Sequence, residues 1–150
     1  EHGPYAGTYT PMLGYWNKPE ATREVLRDGV YFTGDLGRID EEGQLYVLGR
    51  KKELIIRGGA NVYPAGVERV LHEHPGVVAA AVVGLPDARL GERVVAFVEL
   101  AAGASFDAAS LRKRLEGELA RYKLPEELHV IDSMPRNAMG KIVKSSLRPA

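Results

Sequence analysis

The residues with the clearest chemical potential lie in three glycine-containing segments. These segments are Thr33-Gly34-Asp35, Arg57 to Pro64, and Pro135 to Lys141. None of them is a Walker P-loop, because no Gly-Lys pair in the chain is followed by Ser or Thr at the required glycine spacing. Each segment therefore needs its own interpretation, and each admits a structural and a chemical one.

Taken singly, the three segments leave those alternatives open. Asp35 follows a glycine, which is typical of a turn, yet an exposed aspartate there can also accept hydrogen bonds from two ribose hydroxyls. The Gly58-Gly59 pair is typical of a hairpin turn, but glycine also lets a narrow part of another molecule pass close to the backbone. Lys141 fits a solvated loop lysine, or a compact cation that a flexible stem delivers to a phosphate or carboxylate.

The elements that must position these residues fall into two regions. Residues 1–50 are short apolar stretches broken by Gly and Pro, which predicts mostly β-structure, with a brief helix over 19–26. Residues 40–43, which are three acidic residues followed by glycine, separate two apolar stretches and predict the turn of a hairpin. Four charges in a row, 50–53, then interrupt the apolar pattern and indicate a boundary or hinge. We therefore predict two domains, residues 1–50 and 51–150.

The second region predicts a small α+β domain. An amphipathic helix begins at Pro64, and Asp107 is a suitable N-cap for a second helix with leucines at every fourth position. Runs rich in β-branched residues predict strands over 77–83, 94–100 and 128–131. We expect a three-stranded antiparallel sheet with helices on one face, plus a hairpin around Gly58-Gly59.

Composition narrows the classes of function. Hydrophobic residues make up 45% of the 150 residues and charged residues 27%, as in an ordinary globular protein. Lys plus Arg equals Asp plus Glu at 20 each, so no net field favours nucleic acid or an anionic membrane. No apolar run approaches the ~20 residues needed to cross a bilayer, which predicts no membrane insertion.

Residue usage also limits metal and thiol chemistry. The chain has no cysteine, which excludes disulfides, thiolate metal sites and a cysteine nucleophile, and which fits a cytoplasmic protein. The four histidines show no metal-ligand spacing, so we predict no metal held by the protein alone. The sequence opens without an initiator methionine, which suggests a start within a longer protein.

The order and spacing of the three segments together resemble the adenylate-forming superfamily, which includes acyl-CoA synthetases, peptide-synthetase adenylation domains and beetle luciferases. The resemblance covers nearly the whole chain and rests on residues 13–22, 28–37, 49–64 and 135–141. Asn61-Val62-Tyr63-Pro64 is similar to the CoA-ligase branch. Phe32 and Gly66 depart from the common pattern, and residues 3–11 match it poorly.

This resemblance implies the C-terminal portion of an ATP-dependent acyl-CoA synthetase, which converts a carboxylate and ATP to acyl-AMP and then to a CoA thioester. It implies that Lys141 is the catalytic lysine of adenylation and that Lys52 is the hinge. It also assigns ribose contacts to Asp35 and Arg50, and the CoA tunnel to Gly58 and Gly59. Arg57 and Arg93 are candidates for meeting the CoA phosphates.

The implied ligands are ATP or AMP, CoA, and Mg that accompanies ATP and is held mainly by the N-terminal domain. The small carboxylic acid would also be bound by the N-terminal domain, which is the expected partner of this chain. The residues of this chain therefore do not identify the acyl group. We therefore expect the chain alone to be inactive. Two alternatives stay open: an adenylation domain that loads a carrier protein, and a non-catalytic interaction module.

Overall fold

The computed structural model describes residues 12–104 and 107–149, and the chain divides into two compact units, Glu1–Lys52 and Glu53–Ala150. The poorly matching residues 3–11 lie outside the described part. The division falls after Lys52, whereas the charge run predicted it after Arg50.

The first unit consists of a short helix and two hairpins. Its elements are α1 (Pro19–Val25), β1 (Leu26–Arg27), β2 (Val30–Tyr31), β3 (Asp35–Ile39) and β4 (Leu45–Arg50). Helix α1 has a proline in its first turn, where the missing N–H costs nothing. Strands β1 and β2 form a short antiparallel pair, and β3 and β4 form a longer one.

The acidic turn between β3 and β4 is closed by one side chain. The Asp40 carboxylate accepts hydrogen bonds from the amides of Gln44 at 2.8 Å and Glu42 at 3.0 Å. These bonds, the one from Gln44 above all, lower the pKa of Asp40. The acidic residues thus form the hairpin turn that the sequence predicts.

The second unit is built on one five-stranded sheet. Its strands are β5 (Ile55–Arg57), β6 (Ala60–Val62), β7 (Val77–Asp87), β8 (Gly91–Leu100) and β9 (Glu127–Ile131). Neighbouring strands follow the order β6, β5, β8, β7, and β9 pairs with β8 as well. Helices α2 (Pro64–His72) and α3 (Ala108–Glu118) complete the unit, with single 3₁₀ turns at Arg121–Lys123 and Lys144–Ser146.

The α+β class is confirmed, but two details of the predicted sheet are wrong. The sheet has five strands instead of three, because the β5–β6 hairpin joins it through the pairing of Arg57 with Gly91. The last strand, β9, runs parallel to β8, whereas we expected an antiparallel sheet. Helix α3 lies between these two strands in sequence and serves as the crossover that a parallel pair requires.

Both faces of the sheet are covered by apolar side chains. Helices α2 and α3 pack on one face, where α3 begins with Asp107 accepting a hydrogen bond from the Ala109 amide at 3.0 Å. On the other face lies Phe97, which is 1% exposed and belongs to a cluster with Met134 and Leu147. The C-terminal segment, which the sequence left without a role in the core, therefore covers the second face. Lys141 belongs to this segment.

Candidate functional site

Asp35 and Arg50 face each other at one end of the β3–β4 hairpin. They are cross-strand partners, and Arg50 Nε lies 3.0 Å from Asp35 Oδ1. Arg50 also donates from Nη1 to the Thr33 carbonyl at 2.7 Å. The side chain of Asp35 is 36% exposed, so a carboxylate already oriented by arginine remains open to solvent. The Asp35 carboxylate of this pair can accept hydrogen bonds from hydroxyl groups of a ligand.

The turn before Asp35 fixes its backbone. Thr33 Oγ1 accepts a hydrogen bond from the Asp35 amide at 3.0 Å, and Gly34 has a left-handed φ of +74°. The Gly34 carbonyl accepts from the Lys51 amide at 2.8 Å. Thr33-Gly34-Asp35 is therefore a turn, and its geometry leaves the Asp35 carboxylate partly exposed to solvent.

Two tyrosines of the first unit were missed by the sequence interpretation. The hydroxyls of Tyr15 and Tyr31 lie 3.5 Å apart. The hydrogen bond to Tyr15 is the main reason why the pKa of Tyr31 is raised, and Arg50 and Asp35 act on it electrostatically with opposite signs. No local pattern could have paired two tyrosines from different elements.

Gly58 and Gly59 form the two-residue turn of the β5–β6 hairpin. Both have a positive φ, +56° and +83°, which glycine adopts without strain. The Gly58 amide donates to the Leu90 carbonyl at 2.8 Å, which fixes the turn at the strand edge. A Cβ placed on Gly59 would meet nothing within 4 Å. The space beside Gly59 is thus open.

Arg57 lies before that turn and is tied down by several contacts. Its side chain is 17% exposed, and Nη2 lies 2.7 Å from the Glu126 carboxylate. Nη1 donates to the carbonyls of Tyr122 at 2.9 Å and Leu124 at 3.4 Å. These contacts favour a structural role, in which Arg57 joins the hairpin to the segment before β9. Arg93 is paired with Glu127.

Lys141 lies in a tight loop closed by Asn137. The Asn137 side-chain oxygen accepts hydrogen bonds from the amides of Met139 and Lys141, both at 3.0 Å. The Asn137 amide donates to the Lys141 carbonyl at 2.9 Å, and Gly140 has a φ of +77°. The backbone at Lys141 is therefore well fixed while its side chain is exposed. Within residues 12–104 and 107–149, no carboxylate forms an ion pair with this lysine.

The remaining sequence-predicted residue, Lys52, is exposed in the 3₁₀ turn Lys51–Glu53 and is the last residue of the first unit. Asp35 and Arg50 belong to the first unit, whereas Arg57, Gly58, Gly59 and Lys141 belong to the second.

Metal-ligating groups are not clustered in the part of the chain that the structure describes. Among these residues, no group of three or more His, Cys, Asp or Glu side chains could hold a metal ion. His129 contacts the Glu127 carboxylate at 2.9 Å and stacks on Phe97. Over the same residues, no helix is both long and apolar enough to cross a membrane.

The sequence comparisons find relatives that are named as CoA ligases or as an acyl-carrier-protein ligase. The 2-succinylbenzoate–CoA ligase of Geobacillus kaustophilus (strain HTA426) is 49% identical over 135 residues, which are 90% of this chain and 28% of that protein. A fatty acid–[acyl-carrier-protein] ligase, ScoC of Streptomyces coeruleorubidus, is 47% identical over 91% of this chain and 26% of its own length. The chain thus spans about a quarter of the length of these relatives.

The comparison with solved structures finds the same kind of enzyme as the sequence comparison. The o-succinylbenzoate CoA synthetase (MenE) of Bacillus subtilis, in complex with the acyl-adenylate intermediate OSB-AMP, superposes with a TM-score of 0.86 at 41% identity. The match covers 93% of this chain and 28% of that one. The same enzyme in complex with ATP and magnesium ion has a TM-score of 0.82, also at 41% identity, over 91% of this chain and 28% of the other.

The sequence profile of the AMP-binding enzyme C-terminal domain matches residues 66–141, which begin within α2 and include the β7–β8 hairpin, α3, β9 and the Lys141 loop. The chain therefore belongs to the AMP-binding enzyme C-terminal domain family, within the adenylate-forming superfamily.

Proposed function

We propose that this chain is the C-terminal part of an ATP-dependent acyl-CoA synthetase. The whole enzyme would convert a carboxylate and ATP to acyl-AMP and pyrophosphate, and would then transfer the acyl group to the thiol of CoA. The observation that carries the proposal is the exposed Lys141, held at its backbone by the Asn137-closed loop. The relatives named as CoA ligases and the acyl-adenylate complex support the reaction class.

In the adenylation step, Lys141 would hold two anions at attack distance. Its ammonium would bridge the attacking carboxylate and an oxygen of the α-phosphate, and would offset the negative charge that builds up between them. The carboxylate oxygen forms the new bond to phosphorus, and pyrophosphate leaves. The fixed backbone at Lys141 supports this role, because a group that is already in place needs little reorganisation during the reaction.

Asp35 and Arg50 would hold the ribose of the nucleotide. The Asp35 carboxylate would accept hydrogen bonds from the two ribose hydroxyls, while Arg50 keeps the carboxylate oriented. The partial exposure of Asp35 fits this role, because a ligand can reach the carboxylate. Mg would accompany the triphosphate, and the described residues offer no cluster for holding it, so its ligands would come from ATP and the N-terminal domain.

In the thioester step, the β5–β6 turn would line the path of the CoA pantetheine arm. Open space beside Gly59 supports this assignment, since a narrow chain can pass close to a backbone without a side chain. The thiol sulfur attacks the acyl carbonyl of acyl-AMP, the thioester forms, and AMP leaves. The contacts of Arg57 suit it to holding the hairpin rather than meeting the CoA phosphates.

A second candidate is an adenylation enzyme that loads a carrier protein. The similarity to ScoC, named a fatty acid–[acyl-carrier-protein] ligase, favours it, because the match is about as close as that to the CoA ligases. Both candidates use the same adenylation step. They differ only in the thiol that accepts the acyl group.

The acceptor thiol is therefore the direct test of this proposal. The full-length enzyme, supplied with a panel of carboxylic acids and ATP, should form thioesters with free CoA and should leave carrier-protein thiols unacylated. Acylation of a carrier protein without CoA turnover would favour the second candidate. The 150-residue chain alone should release no pyrophosphate, and release by that chain would contradict the assignment of the triphosphate and acyl sites to the N-terminal domain.

Lys52 would be the hinge about which the second unit turns between the two steps, because it is the exposed last residue of the first unit. Replacing Lys52 with proline in the full-length enzyme should spare pyrophosphate exchange and slow thioester formation, since proline fixes φ and opposes the backbone rotation. Lys52→Ala is the matched control, because it removes the charge but leaves the backbone free. Equal loss of both steps in the proline variant would show that the hinge lies elsewhere.

A further inference from the structure

Lys144 lies shortly after Lys141 and is partly buried. Its side chain is 23% exposed and contacts two carboxylates, those of Glu53 and Glu68, the latter at 2.9 Å from Nζ. Burial by itself lowers the pKa of this lysine, but the hydrogen bonds and charges of the two glutamates more than offset that effect and raise it. The ammonium is therefore held in its charged form between two anions.

The two carboxylates tie Lys144 to distinct parts of the unit. Glu53 directly follows Lys52, the proposed hinge, and begins the second unit. Glu68 lies on α2 and also accepts a hydrogen bond from the Val82 amide of β7 at 2.8 Å, which fixes its position on the sheet. Lys144 thus joins the segment after the Lys141 loop to the start of the unit and to its core.

Apolar contacts hold the same segment at other points. Met134 and Leu147 are buried against the sheet, and Ile142 packs beside them. The Val143 amide donates to the Pro135 carbonyl at 2.7 Å, which closes the base of the loop. The hydrophobic effect that drives this packing is non-directional. An ammonium shared by two carboxylates is directional, so it can fix where the base of the loop lies.

We propose that Lys144 is a positioning residue for Lys141, and that it couples the adenylation loop to the residue next to the hinge. The proposal rests on the proposed function, because it assigns to Lys141 the adenylation step. When the start of the unit moves, Glu53 carries the base of the Lys141 loop with it through Lys144. The lysine that reacts and the hinge that moves it would then shift as one body.

The first test measures hydrogen exchange by mass spectrometry on the full-length enzyme. Lys144→Met keeps a flexible stem of similar length but removes the charge. Peptides covering 135–147 should exchange faster in this variant, whereas peptides covering 77–100 should keep the wild-type rate. Lys113→Met is the matched control, because Lys113 is an exposed lysine on α3. Lys144→Arg keeps the charge and should restore slow exchange.

The second test separates the half-reactions in the same variants. A reactive group misplaced by about 1 Å can lose ~100-fold in rate, so we expect Lys144→Met to slow pyrophosphate exchange by about tenfold or more. Its conversion of supplied acyl-AMP with CoA should stay near wild type. Lys144→Arg should recover most of the adenylation rate.

Each of the following results would contradict the proposed coupling between Lys144 and the Lys141 loop. Unchanged hydrogen exchange over residues 135–147 in Lys144→Met would show that the ion pairs do not hold the loop. Faster hydrogen exchange over both 135–147 and 77–100 would show that the ion pairs only stabilise the unit as a whole. If hydrogen exchange becomes faster only over residues 135–147, but both half-reactions slow equally or neither slows, the position of the loop does not control the reaction of Lys141. Failure of the proposed function itself would appear separately, as normal pyrophosphate exchange in Lys141→Ala.

Discussion

Replacing Lys141 with alanine in the full-length enzyme should lower the rate of pyrophosphate exchange by about a hundredfold or more. Deleting a single preorganised group that stabilises transition-state charge typically costs ~100- to 1,000-fold in rate. This expectation follows from the role proposed for Lys141, whose backbone is fixed by Asn137 and whose side chain forms no ion pair with the described carboxylates. Pyrophosphate exchange at saturating acid and ATP measures the loss.

The same variant should keep the second half-reaction. Supplied acyl-AMP and CoA should still give thioester, because that step needs no bridge between a carboxylate and a phosphate. Lys113→Ala serves as the control for loss of an exposed lysine in this unit, and circular dichroism reports whether each variant is folded. If Lys141→Ala slows both half-reactions alike, its role is not specific to adenylation.

Replacing Gly59 with tryptophan should produce the opposite pattern. The residue has a φ of +83°, and a side chain there projects into space that is empty within 4 Å of Cβ, so the indole would fill the path proposed for CoA. We expect thioester formation from acyl-AMP to fall by about tenfold or more, because CoA could no longer reach attack distance, while pyrophosphate exchange changes little.

Two matched variants separate this obstruction from backbone strain. Gly59→Ala has the same positive φ but a small side chain, so it should retain CoA turnover if obstruction is the cause. Gly43→Trp places the same bulk and nearly the same strain, at a φ of +81°, in the acidic turn of the first unit. Loss of CoA turnover in all three variants would attribute the effect to strain rather than to a blocked path.

Local sequence signals predicted the parts of the fold that neighbours along the chain determine. The N-cap at Asp107, the proline at the start of α2, and the turn between β3 and β4 all follow from residues within a few positions. The Gly58-Gly59 hairpin is of the same kind, because two glycines between short strands favour a two-residue turn.

Contacts between distant segments were not predictable in the same way. The apolar pattern of β9 is the same whether it pairs parallel or antiparallel with β8, so its direction depends on the crossover through α3. The second face of the five-stranded sheet is covered in part by Met134 and Leu147. Because these two residues show no periodic spacing in the sequence, their place in the core could not be predicted. The two carboxylates that engage Lys144 come from segments far away along the chain.

The candidate site was predicted mainly through the family resemblance. Spacing alone left Asp35, Gly59 and Lys141 each with a structural alternative. In the structure, Asp35 follows a tight turn and its carboxylate is still partly exposed. Arg57 illustrates the limit, because its contacts with Glu126 and the Tyr122 carbonyl come from a distant segment and could not be predicted from an arginine that precedes a glycine pair.

The most direct test of the central claim is to assay both half-reactions, pyrophosphate exchange and acyl-AMP consumption by CoA, in full-length Lys141→Ala and Gly59→Trp side by side. We predict opposite losses in the two variants. Lys141→Ala should lose pyrophosphate exchange and keep CoA turnover, whereas Gly59→Trp should lose CoA turnover and keep pyrophosphate exchange. If either variant loses both activities equally while remaining folded, or if Lys141→Ala retains normal exchange, the proposed division of labour within this chain is wrong.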